Sequence, residues 1–98
     1  MGQKKKLYVL VRKDLTPSHQ AVQACHAVAE WLLHDQSWKN ETLIYLGVKN
    51  EIDLNRWVNK LCRKRIPYVL FREPDMDGQA TALASYSDSK VFKSLELM

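Results

Sequence analysis

Glycine and cysteine are scarce in this chain of 98 residues, and their scarcity excludes two classes of site. With three glycines and no G-x-G-x-x-G or G-x-x-x-x-G-K-[ST] pattern, a glycine-rich loop that cradles nucleotide phosphates is excluded. The two cysteines, Cys25 and Cys62, belong to no C-x-x-C pair and no closely spaced group of four Cys and His ligands, so no zinc site is predicted. Both lie in segments of helical apolar periodicity, which predicts free, buried thiols.

Long apolar runs are also missing. The run LYVLV, residues 7–11, stands between charged residues and falls far short of the roughly 20 apolar residues that a membrane span requires. It is also too short for the apolar region of a signal peptide. We therefore expect a cytoplasmic protein with no membrane partner.

A chain of this length is sufficient for one apolar core, which predicts a single domain over residues 1–98.

Positive charge is in excess and is clustered. The chain has 15 Lys and Arg against 11 Asp and Glu, for a net charge of +4. The basic residues concentrate at Lys4 to Lys6, at Arg12 and Lys13, and at Arg63 to Arg65. Such clusters favour an anionic partner such as RNA, because phosphate contacts supply much of the sequence-independent affinity. A solvated surface with no such partner is the alternative.

The apolar pattern alternates between strand and helix. We expect four strands, over residues 6–14, 41–48, 66–73 and 79–86, and two long helices, from Pro17 to about Asp35 and from the Asn50 cap to residue 65. A short third helix is expected after Ser87. This order predicts an α/β fold, as a single three-layer α/β/α domain with a four-stranded mixed sheet flanked by helices.

Polar side chains concentrate where predicted strands end and the first helix begins. In sheets of this type, ligands bind where the carboxyl ends of strands meet helix N-termini. We therefore expect these groups to converge: Arg12, Lys13 and Asp14 after the first strand, Ser18 and His19 on the first helical turn, and Arg72 and Glu73 at the end of the third strand.

Three polar residues share one face of the first helix, since His19, Gln23 and His26 follow an i, i+4, i+7 spacing. His19 and His26 are roughly 10 Å apart along the helix axis, which is too far for one zinc ion, so no metal is predicted. Two interpretations of His19 are open: it acts as a general base, or it is an ordinary solvated residue. His26 adjoins apolar Ala27, which favours a core histidine, and Gln23 could be a structural cross-link.

Two segments carry a family resemblance. The segments YVLVRKDLTPSHQAVQACHA and PYVLFREPDMDGQATALAS resemble the type 2 peptidyl-tRNA hydrolases, the archaeal and eukaryotic class. The order of elements matches over nearly the whole chain. The residues that match the two family motifs are Arg12, Asp14, Leu15, Ala21, Gln23, His26 and Ala27 in the first, and Arg72, Gly78 and Thr81 in the second.

The chain departs from the family pattern at four positions. His19 stands where the family has its catalytic lysine, and Ser18 stands in place of the preceding glycine. Glu73 replaces an aspartate, and Gln79 replaces the first threonine of the last strand. A histidine can serve as a base where a lysine would need a depressed pKa, so the exchange at His19 is chemically permissible.

The resemblance implies hydrolysis of the ester that joins a peptide to the 3′ end of tRNA, without a metal or other cofactor. It implies His19 as the reacting group, with Asp14 or Glu73 orienting the imidazole or the water. The implied substrate-binding residues are Arg12, Lys13, Ser18, Gln23, Arg72 and Thr81, with Arg63 to Arg65 as a more distant basic patch. Exposed sheet edges favour a homodimer. A non-catalytic RNA-binding or protein-binding module on the same fold is the alternative.

Overall fold

The computed structural model describes residues 4–98 and shows a mixed five-stranded sheet with two α-helices. The elements in chain order are β1 Lys6–Arg12, α1 Pro17–His34, β2 Leu43–Val48, α2 Glu51–Arg63, β3 Val69–Glu73, β4 Gln79–Ser87 and β5 Glu96–Leu97. The strands lie in the order β3-β4-β1-β2-β5. β1 and β2 are parallel, and the other three pairs are antiparallel. The predicted α/β domain with a mixed sheet is confirmed.

β1 lies at the centre of the sheet and is buried on both faces, as its near-continuous apolar sequence predicts. One face packs against α1, through a cluster of Leu7, Val9, Val11, Ala27, Trp31, Trp38, Ala82 and Ala84. The other face packs against α2 and the chain near the C-terminus, through Leu10, Leu46, Val48, Leu54, Trp57, Leu61, Ala80, Leu83 and Phe92. The sheet is therefore covered by one helix on each face.

α1 begins where the sequence predicts, and its start directs the first turn towards the carboxyl end of β1. The Thr16 hydroxyl accepts a hydrogen bond from the His19 backbone N–H at 3.3 Å, and Pro17 occupies the first helical position, where no N–H is required. The helix ends at His34, and the N–H of Asp35 donates to the Trp31 carbonyl. His19 and Gln23 consequently lie on the first two turns, beside the sheet.

The predicted number of strands, four, is wrong, and the short helix predicted after Ser87 is present only as a 3₁₀ helix. Residues Val91–Ser94 form a short 3₁₀ helix, and Glu96–Leu97 then form β5, which pairs antiparallel with β2. The N–H of Met98 donates to the Tyr45 carbonyl at 2.9 Å. The outer edge of β2 would otherwise leave backbone groups unpaired, whereas an isolated helix of so few residues is marginal in water.

A tight turn joins β3 to β4 and places Glu73 at the same end of the sheet as Arg12. Asp77 and Gly78 both have left-handed backbone conformations, with φ of 55° and 75°, and the Gly78 N–H donates to the Glu73 carbonyl at 3.0 Å. Glu73 then pairs with Gln79 in the register of the two strands.

Among residues 4–98, neither α1 nor α2 combines the length and the apolar character that crossing a bilayer would require.

Candidate functional site

A buried chain of hydrogen bonds holds Glu73 at the carboxyl end of β3. The Gln23 side-chain amide donates to Glu73 Oε1 at 2.8 Å, and the Thr81 hydroxyl donates to Gln23 Oε1 at 2.6 Å. Gln23 and Thr81 are fully buried, and Glu73 is 9% exposed. The second carboxylate oxygen, Glu73 Oε2, accepts the backbone N–H of Asp75 at 3.4 Å. Three elements, α1, β3 and β4, thus fix one carboxylate.

The surroundings of Glu73 favour its charged form. The hydrogen bond from Gln23 is the main cause that lowers the pKa of the Glu73 carboxyl, while partial desolvation opposes it. The Asp75 N–H and the nearby imidazoles of His26 and His19 lower that pKa further. Glu73 is therefore an ionised carboxylate at neutral pH, with two histidines of α1 close enough to interact with its charge.

His26 is exposed, so the prediction of a core histidine is wrong. Its ring stacks on Phe71 of β3, with 4.5 Å between ring centroids and planes only 6° apart. α1 crosses β3 on the face of the sheet that carries Phe71, so the exposed surface of the helix meets a strand side chain there. His19 is half-buried on the first turn of the same helix. We call His19, Gln23, His26, Glu73 and Thr81 the Glu73 cluster.

Arg12 and Asp14 form a separate ion pair at the same end of the sheet. The Arg12 guanidinium donates to both Asp14 oxygens, from Nε at 3.0 Å and from Nη2 at 2.8 Å. Its Nη1 donates to the Gln79 side chain at 2.9 Å and to the Ala80 carbonyl at 3.2 Å. These bonds raise the pKa of Arg12 and lower the pKa of Asp14. Arg12 is only 7% exposed, so its guanidinium joins β1 to β4 and presents little surface to a phosphate.

The other predicted substrate-binding residues are exposed, but some of their side chains are already bonded within the protein. Arg72 is exposed beside Glu73, and its guanidinium donates to the Gly78 carbonyl at 3.3 Å. The Lys13 ammonium is 2.8 Å from Glu96 of β5 and forms an exposed ion pair. Ser18 is exposed on the first turn of α1. The structure thus places His19 within electrostatic range of Glu73 without a hydrogen bond between their side chains, while Asp14 is bonded to Arg12.

No group of three or more His, Cys, Asp and Glu residues within residues 4–98 is arranged to hold a metal ion.

The two thiols are free, but the prediction that they are buried is wrong, because both cysteines are exposed. Cys62 lies 3.1 Å from the Tyr68 hydroxyl, and Cys25 lies on the outer side of α1. Helical periodicity places a residue near an apolar stripe, but it does not distinguish the centre of that stripe from its margin.

Phe71 was not singled out by the sequence, and Gln79 was noted only as a departure from the family motif. Phe71 carries the stacked ring of His26, and Gln79 binds Arg12. The sequence has one signal for Gln79, since it occupies a motif position that is threonine in the hydrolases. Phe71 lies within an apolar strand and carries no signal of a surface contact.

Comparisons with known proteins support the fold and leave the function open. No protein-family model matches the chain, and no curated protein matches it. Among solved structures, a protein of unknown function from Agrobacterium tumefaciens strain C58 is similar, with a TM-score of 0.76 and 12% sequence identity. The alignment covers 100% of this chain and 99% of that one. At this identity the likeness shows a shared fold alone.

Proposed function

We propose that the protein hydrolyses the ester between a peptide and the 3′ end of tRNA. The observation that carries the proposal is the position of the Glu73 carboxylate, which Gln23 holds at the carboxyl end of β3, within electrostatic range of His19 on the first turn of α1. A fixed, ionised carboxylate next to an imidazole is an arrangement that can activate a water molecule. The motifs that resemble the type 2 peptidyl-tRNA hydrolases supply the substrate class.

In the proposed reaction, the His19 imidazole accepts a proton from water as the water oxygen attacks the ester carbonyl. Glu73 orients the imidazole or the water and stabilises the imidazolium through its negative charge, without itself taking up the proton. The proton then passes to the departing 3′ oxygen of the ribose, which leaves as a hydroxyl, and the peptide is released as a carboxylic acid that loses its proton to the solvent. The lowered pKa of Glu73 suits this electrostatic role better than the role of base.

The proposed contacts to tRNA involve the exposed cations at the same end of the sheet. Arg72 lies beside Glu73 and can bind a phosphate of the acceptor end, with Ser18 as a hydrogen-bonding group. Lys13 can do so after exchanging its ion pair with Glu96 for one with a phosphate. Gln23 and Thr81 are buried, so they position Glu73 rather than touch the substrate. Arg63 to Arg65 lie at the other end of α2, as a distant basic patch.

The test is the release of N-acetyl-aminoacyl groups from tRNA. His19→Ala is expected to lower the rate at least tenfold, which corresponds to about 1.4 kcal/mol of transition-state stabilisation. His34→Ala is the matched control, because His34 lies at the opposite end of α1 and is exposed in an ion pair with Glu30. An unchanged rate in His19→Ala would remove His19 from the mechanism.

A non-catalytic RNA-binding or protein-binding module is the second candidate function. The observation that favours it is the absence of the family's catalytic lysine, since His19 occupies that position. This module would bind tRNA, or a protein, and would release no acyl group above the uncatalysed background. A location in the cytoplasm and a homodimer stay predictions, the second to be tested by sedimentation.

A further inference from the structure

A groove lies on the α2 face of the sheet, at the opposite end from Glu73. Its volume is about 640 Å³, within the range of small-molecule sites. Apolar side chains form the floor and lysines form the rim, and we call it the lysine-rimmed groove. The floor comprises Tyr8, Ile44, Leu46, Phe92, Leu95 and Leu97, and the rim comprises Lys4, Lys6, Lys90 and Lys93, with Asp88 and Ser89 at one side.

The floor of this groove is held by ring stacking. The Tyr8 ring stacks on Phe92 with 4.5 Å between centroids, and Phe92 stacks in turn on Trp57 of α2 at 5.5 Å. Phe92 is 2% exposed and Leu46 is 3% exposed, so both belong to the core. The apolar surface of the groove is therefore preformed and does not require rearrangement before a ligand binds.

The rim has an excess of positive charge. Lys4 forms an exposed ion pair with Glu41 at 3.6 Å. Within residues 4–98, Lys6 and Lys93 form no ion pair, and both are exposed. Asp88 is the carboxylate that lines the groove, against four lysines. The electrostatic potential at the mouth therefore favours an anion, while the floor favours an apolar group.

We propose that the lysine-rimmed groove binds a free medium-chain fatty acid. Three of the floor side chains that keep exposed surface are aliphatic, namely Ile44, Leu95 and Leu97, and these suit an acyl chain. The carboxylate lies at the mouth, between Lys6 and Lys93. The groove lies on the α2 face of the sheet and the Glu73 cluster lies on the α1 face, so this site does not depend on the proposed hydrolase activity.

Calorimetric titration with sodium dodecanoate, kept below its micelle concentration, tests the proposal. The wild-type protein is expected to bind one dodecanoate per chain. The double variant Lys6→Glu, Lys93→Glu is expected to bind at least tenfold more weakly. The control variant Lys39→Glu, Lys49→Glu has the same net charge, and its changes lie outside the groove, so it is expected to bind as the wild type does.

A third variant tests the apolar part of the site. Leu97 lines the groove and is 74% exposed, so Leu97→Ser removes apolar contact without adding a charge and with little cost to folding. Its affinity for dodecanoate is expected to fall several-fold. In tyrosine-labelled protein, the NMR signal of Tyr8 should shift on titration. Tyr45 lines a second apolar groove, between α1 and β2, and its signal should not shift.

The proposal would be overturned if the wild type bound no dodecanoate, or if the Lys6, Lys93 variant and its control bound it with equal affinity. A shift of the Tyr45 signal instead of the Tyr8 signal would also overturn it. So would binding to phosphatidylglycerol vesicles without binding to free dodecanoate. The last result would assign the lysines to an anionic membrane surface.

Discussion

Gln23 is the residue on which the geometry of the Glu73 cluster depends. Its side chain is fully buried, accepts from Thr81 of β4 and donates to Glu73 of β3. A buried amide is tolerated because both of its ends are bonded, and removing it would leave two polar partners without their bonds. Gln23 therefore contributes to both stability and the orientation of Glu73.

Gln23→Ala is expected to lower the free energy of unfolding by about 1 to 3 kcal/mol, because the Thr81 hydroxyl and the Glu73 carboxylate lose a buried partner. Urea denaturation at neutral pH measures this loss. Gln36→Ala is the matched control, since Gln36 is exposed and its one bond, to the Leu32 carbonyl, is 3.5 Å long. A loss equal to that of the control would show that the buried bonds contribute nothing to stability.

Glu73 also makes stability depend on pH. Its folded-state pKa is lowered, chiefly by the hydrogen bond from Gln23. The stability it contributes is therefore present above its unfolded pKa and is lost as the pH falls through the folded value. Glu73→Gln removes this term, so the difference in unfolding free energy between wild type and variant should shrink on acidification below about pH 4. Denaturation curves from pH 7 to pH 3 measure it, and a difference that stays constant would contradict the assignment.

At the scale of elements, α2 depends on reciprocal capping at its N-terminus. The Asn50 side chain accepts the Asp53 backbone N–H at 3.0 Å, and the Asp53 carboxylate accepts the Lys49 backbone N–H at 3.1 Å. Two N–H groups that the helix cannot bond internally are thus satisfied. The cap fixes the point at which α2 leaves the sheet and packs on the face away from α1.

Asn50→Ala is expected to cost about 1 kcal/mol of stability, the usual effect of removing an N-cap side chain. Asn59→Ala is the comparison, because Asn59 is exposed within the same helix and makes no cap. That change should alter the unfolding free energy by no more than about 0.5 kcal/mol. Thermal or urea denaturation measures the free energy of unfolding of the two variants. An equal decrease in both would contradict a capping role for Asn50.

Periodicity and caps predicted both long helices and the first four strands, because these elements are specified by their own local sequence. β5 was not predicted, since two residues have no periodicity and the strand forms only where the open edge of β2 is present. The short helix expected after Ser87 is reduced to the 3₁₀ helix Val91–Ser94, which β5 follows directly. A strand that forms only because a neighbouring strand edge is available cannot be predicted from its own residues.

The candidate site also has one part that the sequence predicted and another that it did not. That His19 and Glu73 lie at one end of the sheet followed from the order of strands and helices. The stacking of His26 on Phe71 did not, because it depends on the rotation of α1 relative to β3. The pairing of Asp14 with Arg12 was also not predicted, because it depends on the direction in which the Arg12 side chain turns.

At the scale of the whole molecule, positive charge lies at both ends of the sheet. Arg72 and Lys13 are at the end that carries Glu73, and Arg63 to Arg65 follow α2 at the other end. Only part of the net charge of +4 therefore faces the proposed substrate site. We expect binding to tRNA to involve few phosphates and to be moderately sensitive to salt.

If two to four phosphates are neutralised, the affinity for tRNA should fall about 10- to 100-fold between 50 and 200 mM salt. Gel shifts over this range measure it. Arg72→Gln should reduce the slope of log affinity against log salt by about 0.9, the contribution of one phosphate contact. Arg56→Gln, an exposed change on α2 with the same loss of charge, should leave the slope close to that of the wild type. Equal slopes for the two variants would contradict a phosphate contact at Arg72.

The pairing of β1 with β4 has a consequence for how the chain folds. Lys6 is opposite Ser87, so β1 and its antiparallel partner β4 are far apart in the sequence. The β1–β4 pairing therefore closes a long loop, and loop closure over that separation slows the search for the native state. A chain without residues 79–87 can still pair β1 with β2, but it lacks the strand that joins β1 to β3.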